Sequence, residues 1–320
     1  MAVSLEGDYG MPSAAIIGAG LIGRSWAIVF ARAGWEVRIT DPNPETLEKA
    51  PSLVREGLEE LARHGLVANP GNASAHVVAV SSLAEAVTGA DLVQENGPEI
   101  AETKRLIFTE LDRLAPPDCI LASSTSAIVA SHFTEGLSGR ARCLVAHPVN
   151  PPHLVPVVEL CGAPWTAPET VSRARTIYES VEQVPIVVNR EVEGFVLNRL
   201  QGALLAEAFR LVGEGVVSPQ DLDKTVKDGL GLRWSFLGPF GTIELNAPGG
   251  IADYCDRYTG FYRRLSEDAA RPHVWDKENV SRILETWGEA PGPDELARRS
   301  AWRDKRLAAL KAHKKSQPDQ

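Results

Sequence analysis

The sequence predicts an α/β chain in which a doubly wound sheet is followed by an all-helical segment. Two observations carry this reading. Short apolar runs alternate with helix-compatible stretches as far as about residue 190, and beyond that point the strand signal disappears. A third observation orients the first part: the loop Gly18-Ala19-Gly20-Leu21-Ile22-Gly23 lies between the first apolar run and a helix-like stretch.

Taken in order, strands are expected near residues 14–17, 37–40, 77–80, 92–94, 120–122, 144–146, 155–160 and 186–188. The early ones are continuous apolar runs, as strands covered by helices on both faces require. Farther on, Val196, Leu200, Ala203, Leu204, Ala208 and Leu211 fall on one face of a helix. Ser218-Pro219-Gln220-Asp221 then offers an N-cap serine, a proline at the first helical position and an acid at the third. The basic, polar stretch from Lys311 to Gln317 is expected to be a solvated, fraying tail.

The glycine loop has the spacing of a dinucleotide cradle. Gly18 allows a tight turn, Gly20 removes the Cβ that would block a pyrophosphate, and Gly23 lets helix and strand approach. The N–H groups that open the following helix, at Leu21 and Ile22, then face the anion. Asp41 ends the next apolar run, where its carboxylate can accept from both ribose hydroxyls and would repel a 2′-phosphate, so the cofactor expected is NAD. Residues 1–192 are therefore read as a Rossmann-like NAD-binding domain and residues 193–320 as an all-helical substrate and dimerisation domain. The stretch from Val188 to Glu193 is the expected junction.

Bulk properties limit the partners. Lys plus Arg number 33 against 42 for Asp plus Glu, a net charge of −9, which disfavours nucleic acid and anionic membrane as partners. No apolar run is long enough to span a bilayer, and Met1–Asp8 lacks a signal pattern, so a cytoplasmic protein is expected. Cys119, Cys143, Cys161 and Cys255 are widely spaced, without a C-x-x-C pair, and read as buried thiols rather than as zinc ligands or a disulfide framework; no metal site is expected.

The chemistry is expected where the carboxyl ends of the strands face the second domain. Ser123-Ser124-Thr125-Ser126 follows one strand and His147-Pro148-Val149-Asn150-Pro151-Pro152 follows the next. A histidine at a strand tip is placed to act as a general base near neutral pH. Glu159, a carboxylate in an apolar run, could hold its second ring nitrogen. Taken singly, His147, Glu159, Ser126 and Asn198 also read as ordinary polar residues, and only their joint arrangement points to catalysis.

That arrangement resembles the 3-hydroxyacyl-CoA dehydrogenase superfamily over nearly the whole chain. The matching segments are Gly18–Gly23, Ser123-Ser124-Thr125-Ser126, Ala146-His147-Pro148-Val149-Asn150-Pro151-Pro152, the glutamate twelve residues after that histidine, and Gly194-Phe195-Val196-Leu197-Asn198-Arg199. Within the superfamily the chain is similar to the lambda-crystallin, L-gulonate 3-dehydrogenase branch, through Ile22-Gly23-Arg24-Ser25-Trp26, Gly229-Leu230-Gly231-Leu232-Arg233-Trp234 and Tyr254-Cys255-Asp256-Arg257-Tyr258. The resemblance implies His147 as catalytic base and Glu159 as its partner, with Ser126 and Asn198 bonding the reacting hydroxyl or the nicotinamide end. It also places Glu99 and Lys104 among the NAD contacts, although by spacing alone they read as a solvated helix face.

Arg233 is the best clue to substrate. A free hydroxy acid offers a carboxylate that a guanidinium matches with two hydrogen bonds, whereas a CoA ester offers none in the acyl pocket. Arg233 is read as lying in a turn after Gly229–Leu232; a surface arginine capping a helix is the other reading. L-Gulonate is the leading substrate, with L-carnitine and 3-hydroxybutyryl-CoA as alternatives. A structural, crystallin-like role is the non-enzymatic one.

Overall fold

A computed structural model describes residues 11–317; the segment Met1–Asp8 discussed above lies outside the described residues. The chain divides into two compact units, one running to Val196 and taking in the segment from Glu295, the other Leu197–Asp294.

In the first unit β1 (Ser13–Ile17), β2 (Glu36–Thr40), β3 (Val77–Ala79), β4 (Leu92–Glu95), β5 (Ile120–Ser123), β6 (Cys143–Pro148), β7 (Val157–Gly162) and β8 (Val184–Val188) form one sheet, ordered β3-β2-β1-β4-β5-β6-β7-β8. Each lies on a run expected to be a strand. The order reverses at β1, flanked by β2 and β4, which opens the crevice where such sheets bind ligands. Alternate residues enter two cores. Ala14 and Ile16 face Trp26, Phe30 and Leu58, while Ala15 and Ile17 face Phe108, Leu111 and Phe133.

β7 pairs antiparallel with β6, setting His147 opposite Glu159. The cause is chain length: residues 149–156 are too few for a crossover helix, which needs about a dozen residues or more. β7 starts at Val157 rather than 155 because Val155 and Pro156 still belong to that loop.

The carboxyl end departs from expectation. Instead of a fraying tail, Pro293–Lys315 is one helix, with Ala308 buried against the core of the first unit. Expecting one boundary near residue 192 does not anticipate this return, because the polar, basic stretch hides the few apolar positions that dock.

The second unit contains the helices Leu197–Gly213, Pro219–Lys224, Pro239–Glu244, Gly250–Glu267 and Lys277–Trp287. The Ser218 hydroxyl accepts from the Asp221 N–H at 3.1 Å, capping its helix as expected. Arg233 lies not in a turn but in the helical segment Gly231–Trp234, because Gly231 takes a right-handed conformation (φ −63°) and continues the helix from the π-helical turn Thr225–Leu230. Leu200, Phe236, Phe240, Leu245 and Leu265 are exposed, whereas Ala247 and Val274 are buried. Cys119, Cys143 and Cys161 are buried as expected, but Cys255 is exposed, because it lies on the helix Gly250–Glu267, which buries none of its residues. No helix among the described residues is long and apolar enough to cross a membrane.

Candidate active site

The glycine loop is dictated sterically. Gly18 has φ +92°, and a Cβ there would lie 2.8 Å from the Asn96 carbonyl oxygen; at Gly23 a Cβ would lie 1.8 Å from the Gly18 carbonyl oxygen. At Gly20, by contrast, a Cβ would meet nothing within 4 Å, so the approach to the loop is open. Gly20 caps the helix Leu21–Arg32 without a side-chain acceptor, and no acid stands in the first turn. The N–H groups of Leu21 and Ile22 are thus not claimed by a side-chain cap. Asp41, just past β2, accepts from the Ala19 N–H at 2.7 Å and from the Asn43 N–H at 2.8 Å, which fixes its carboxylate beside the loop. This cradle fits a dinucleotide pyrophosphate and its ribose.

NAD is accordingly expected to bind well ahead of NADP. Asp41→Ala should weaken NAD by roughly 10-fold or more, since charge-assisted hydrogen bonds are worth about 1.5–3 kcal/mol. Titration of both cofactors checks this, and similar affinities in the unaltered protein would remove the assignment.

Glu99 organises the loop after β5. Its Oε1 accepts from the Thr125 hydroxyl at 2.6 Å, the Ser126 N–H at 2.8 Å, the Ala127 N–H at 2.9 Å and the Ser126 hydroxyl at 3.3 Å. Burial alone would push this carboxyl up, but those bonds and the Lys104 charge outweigh it and hold the group below the usual carboxylate range. Lys104 is no solvated side chain. It is 1 % exposed, and its Nζ donates to both oxygens of the fully buried Glu95 at 3.0 and 3.1 Å, with Glu99 at 3.8 Å. Its amine is therefore committed to carboxylates beneath the loop. Sequence reasoning missed Glu95, although an acid closing an apolar strand was a signal that a buried cation waits nearby.

Beside it runs a buried polar network that was also missed. Gln94 donates to the Ser124 hydroxyl at 2.7 Å and to the Ala146 carbonyl at 3.4 Å, and accepts from the Tyr178 hydroxyl. The Trp26 indole donates to Ser124 at 3.0 Å. The network ties the tip of β5 to the residue before His147.

His147 Nδ1 lies 2.7 Å from Glu159 Oε2, and Glu159 Oε1 accepts from the Val196 N–H at 2.8 Å. His147 is 5 % exposed and Glu159 is fully buried. Gly194 (φ +76°) and Phe195 (φ +48°) are both left-handed, which turns the chain so that the Val196 N–H meets Glu159 and the buried Phe195 ring lies 5.7 Å from the imidazole. Because Glu159 is an acceptor, the neutral imidazole carries its proton on Nδ1 and leaves Nε2 as the basic lone pair.

The first unit thus holds two separate pairs, His147 with Glu159 and Ser126 with Glu99, together with the glycine loop after β1 and Asp41 after the neighbouring β2. Asn198, in the first turn of Leu197–Gly213, and Arg233 belong to the second unit. Arg233 is exposed, and no carboxylate among the described residues forms an ion pair with it.

Residues 13–192 match the 3-hydroxyacyl-CoA dehydrogenase NAD-binding domain, and residues 194–287 match the C-terminal domain of the same family. The chain belongs to the 3-hydroxyacyl-CoA dehydrogenase family. It is 41% identical to a lambda-crystallin homolog of Rattus norvegicus, over 92% of this chain and 94% of the relative. It is 40% identical to an L-carnitine dehydrogenase of Oceanobacillus iheyensis, over 90% and 94%. Among solved structures, 5-formyl-3-hydroxy-2-methylpyridine 4-carboxylic acid 5-dehydrogenase, an NAD+-dependent dismutase, superposes with a TM-score of 0.83 at 30% identity, covering 97% of this chain and 100% of that one. Like its family, the chain is an NAD-dependent oxidoreductase acting on a CH–OH group.

Proposed function

We propose that the chain oxidises the C3 hydroxyl of a free 3-hydroxy acid, with L-gulonate to 3-dehydro-L-gulonate as the leading reaction and His147 as the general base. The observation that carries this is the buried pairing of His147 Nδ1 with Glu159, which leaves Nε2 available to a substrate hydroxyl. NAD, when bound, supplies the nicotinamide carbon that accepts hydride. Nε2 takes the hydroxyl proton as the C3 hydrogen departs, and the resulting imidazolium is stabilised by Glu159, which stays ionised. In the reverse direction the imidazolium returns the proton. Ser126, held by Glu99, and Asn198 are assigned to hydrogen bonds at the reacting oxygen or the nicotinamide end.

Two relatives named for free carboxylic acids, L-carnitine and the pyridine carboxylic acid, support the free-acid reading, as does the exposed Arg233, which forms no ion pair with a carboxylate among the described residues. The exposed apolar helical faces support a homodimer, and four free thiols support a reducing compartment, the cytoplasm. A purely structural role would have no use for the buried base.

The test is NADH formation from L-gulonate, L-carnitine, 3-hydroxybutyrate and 3-hydroxybutyryl-CoA, in the unaltered protein and in Arg233→Ala. If the guanidinium pairs with a substrate carboxylate, Arg233→Ala is expected to lower kcat/KM for the free acid roughly 10- to 100-fold, with cofactor affinity hardly moved. Arg233→Lys should recover part of the loss, keeping the charge without the fork. An unchanged kcat/KM, or activity on the CoA ester well above that on every free acid, would move the assignment to a 3-hydroxyacyl-CoA substrate.

A further inference from the structure

The loop over residues 149–156 joins His147 to Glu159, and it is held by two distant parts of the chain. Arg32, at the end of the helix Leu21–Arg32, donates from Nη1 to the His153 carbonyl oxygen at 2.9 Å. Lys311, in the closing helix, donates from Nζ to the same oxygen at 3.2 Å. Two basic side chains therefore converge on one backbone acceptor, and holding both charges there costs desolvation and mutual repulsion. Burial and the Arg32 charge push the Lys311 amine down to about 7 against the opposing pull of Glu182, and burial with the same cations pushes His153 down to about 3, keeping it neutral. Arg32 Nε and His153 Nδ1 are also buried without a hydrogen-bond partner among the described residues.

An unfavourable arrangement of this kind persists only where the surrounding structure holds it in place. The closing helix is docked beside Lys311 by Ala308, buried in the same apolar cluster as Leu154 of the loop, whereas the Lys315–Glu182 pair at 2.7 Å is half exposed and adds little. We propose that the closing helix clamps the loop between base and carboxylate, and that Lys311 is a positioning residue acting through the His153 carbonyl on the alignment of His147 with Glu159. This rests on the reading of His147 and Glu159 as the acid–base pair.

The test compares full-length Lys311→Met, Lys311→Arg and Lys315→Ala by kinetics and by amide hydrogen exchange. The amides of Leu154 and Val155, which bond the Pro151 carbonyl at 3.0 and 2.9 Å, report on the loop directly. Lys311→Met should speed their exchange about 10-fold and lower kcat about 5- to 10-fold, with NADH affinity within about twofold. Lys311→Arg should retain most of the activity, and Lys315→Ala should match the unaltered protein in both readouts. Arg32→Gln removes the other donor and is expected to give the same pattern, so it serves if Lys311→Met does not fold. Unchanged exchange and kcat in Lys311→Met, or an equal loss in Lys315→Ala, overturns the clamp. Normal turnover in His147→Gln would instead defeat the acid–base reading, while the exchange rates would still report on the clamp.

Discussion

His147→Gln is expected to lower kcat by about 10²–10⁴, the usual contribution of a positioned general base, while NADH affinity stays within a few fold. The separation follows from place. His147 lies one residue before the end of β6 and bonds Glu159, whereas the cofactor cradle is built at the ends of β1 and β2, so loss of the imidazole leaves the glycine loop and Asp41 intact. Glutamine approximates the imidazole's size and can still donate toward Glu159, but offers no basic lone pair near neutral pH. Steady-state kinetics with a fluorescence titration of NADH would check both halves. Near-normal turnover would return His147 to a structural role; a parallel loss of NADH binding would show that the change is not confined to the reacting centre.

The second large effect belongs to Lys104. Breaking a buried ion pair on one side leaves an uncompensated charge and costs about 3–5 kcal/mol. Lys104 and Glu95 are 1 % and 0 % exposed, and the Ser123 hydroxyl and Gly97 N–H that also bond Glu95 can offset only part of the loss. Lys104→Met should therefore lower the unfolding free energy by about that amount. The double variant Glu95→Gln with Lys104→Met should recover much of it, since the stranded charge is then gone. Denaturant unfolding of the four proteins in this cycle measures the coupling. A loss below about 1 kcal/mol in Lys104→Met would show that the pair is not the anchor its burial indicates.

Much of the first unit was legible in local windows. All eight strands lie on runs expected to be strands, and the N-cap at Ser218 was evident from its own tetrapeptide. The contact between His147 and Glu159 could be anticipated because a carboxylate in an apolar run needs a partner. Lys104 was not legible: a lysine among Glu99, Glu102 and Arg105 looks solvated until Glu95, at the end of a neighbouring strand, is placed beneath it.

By itself the sequence determined the α/β order of elements, the steric demand for glycine at positions 18 and 23, and the acid at position 41 that speaks for NAD. These depend on neighbours within a turn or a strand. Tertiary structure alone decided the rest, through partners far apart in the chain: Glu99 with Ser126 at a separation of 27, Trp26 with Ser124 at 98, and Lys311 with His153 at 158. Residue type and local periodicity carry no record of such pairings, because which buried charge meets which donor is settled only when the strands, their connecting loops and the returning helix are packed together.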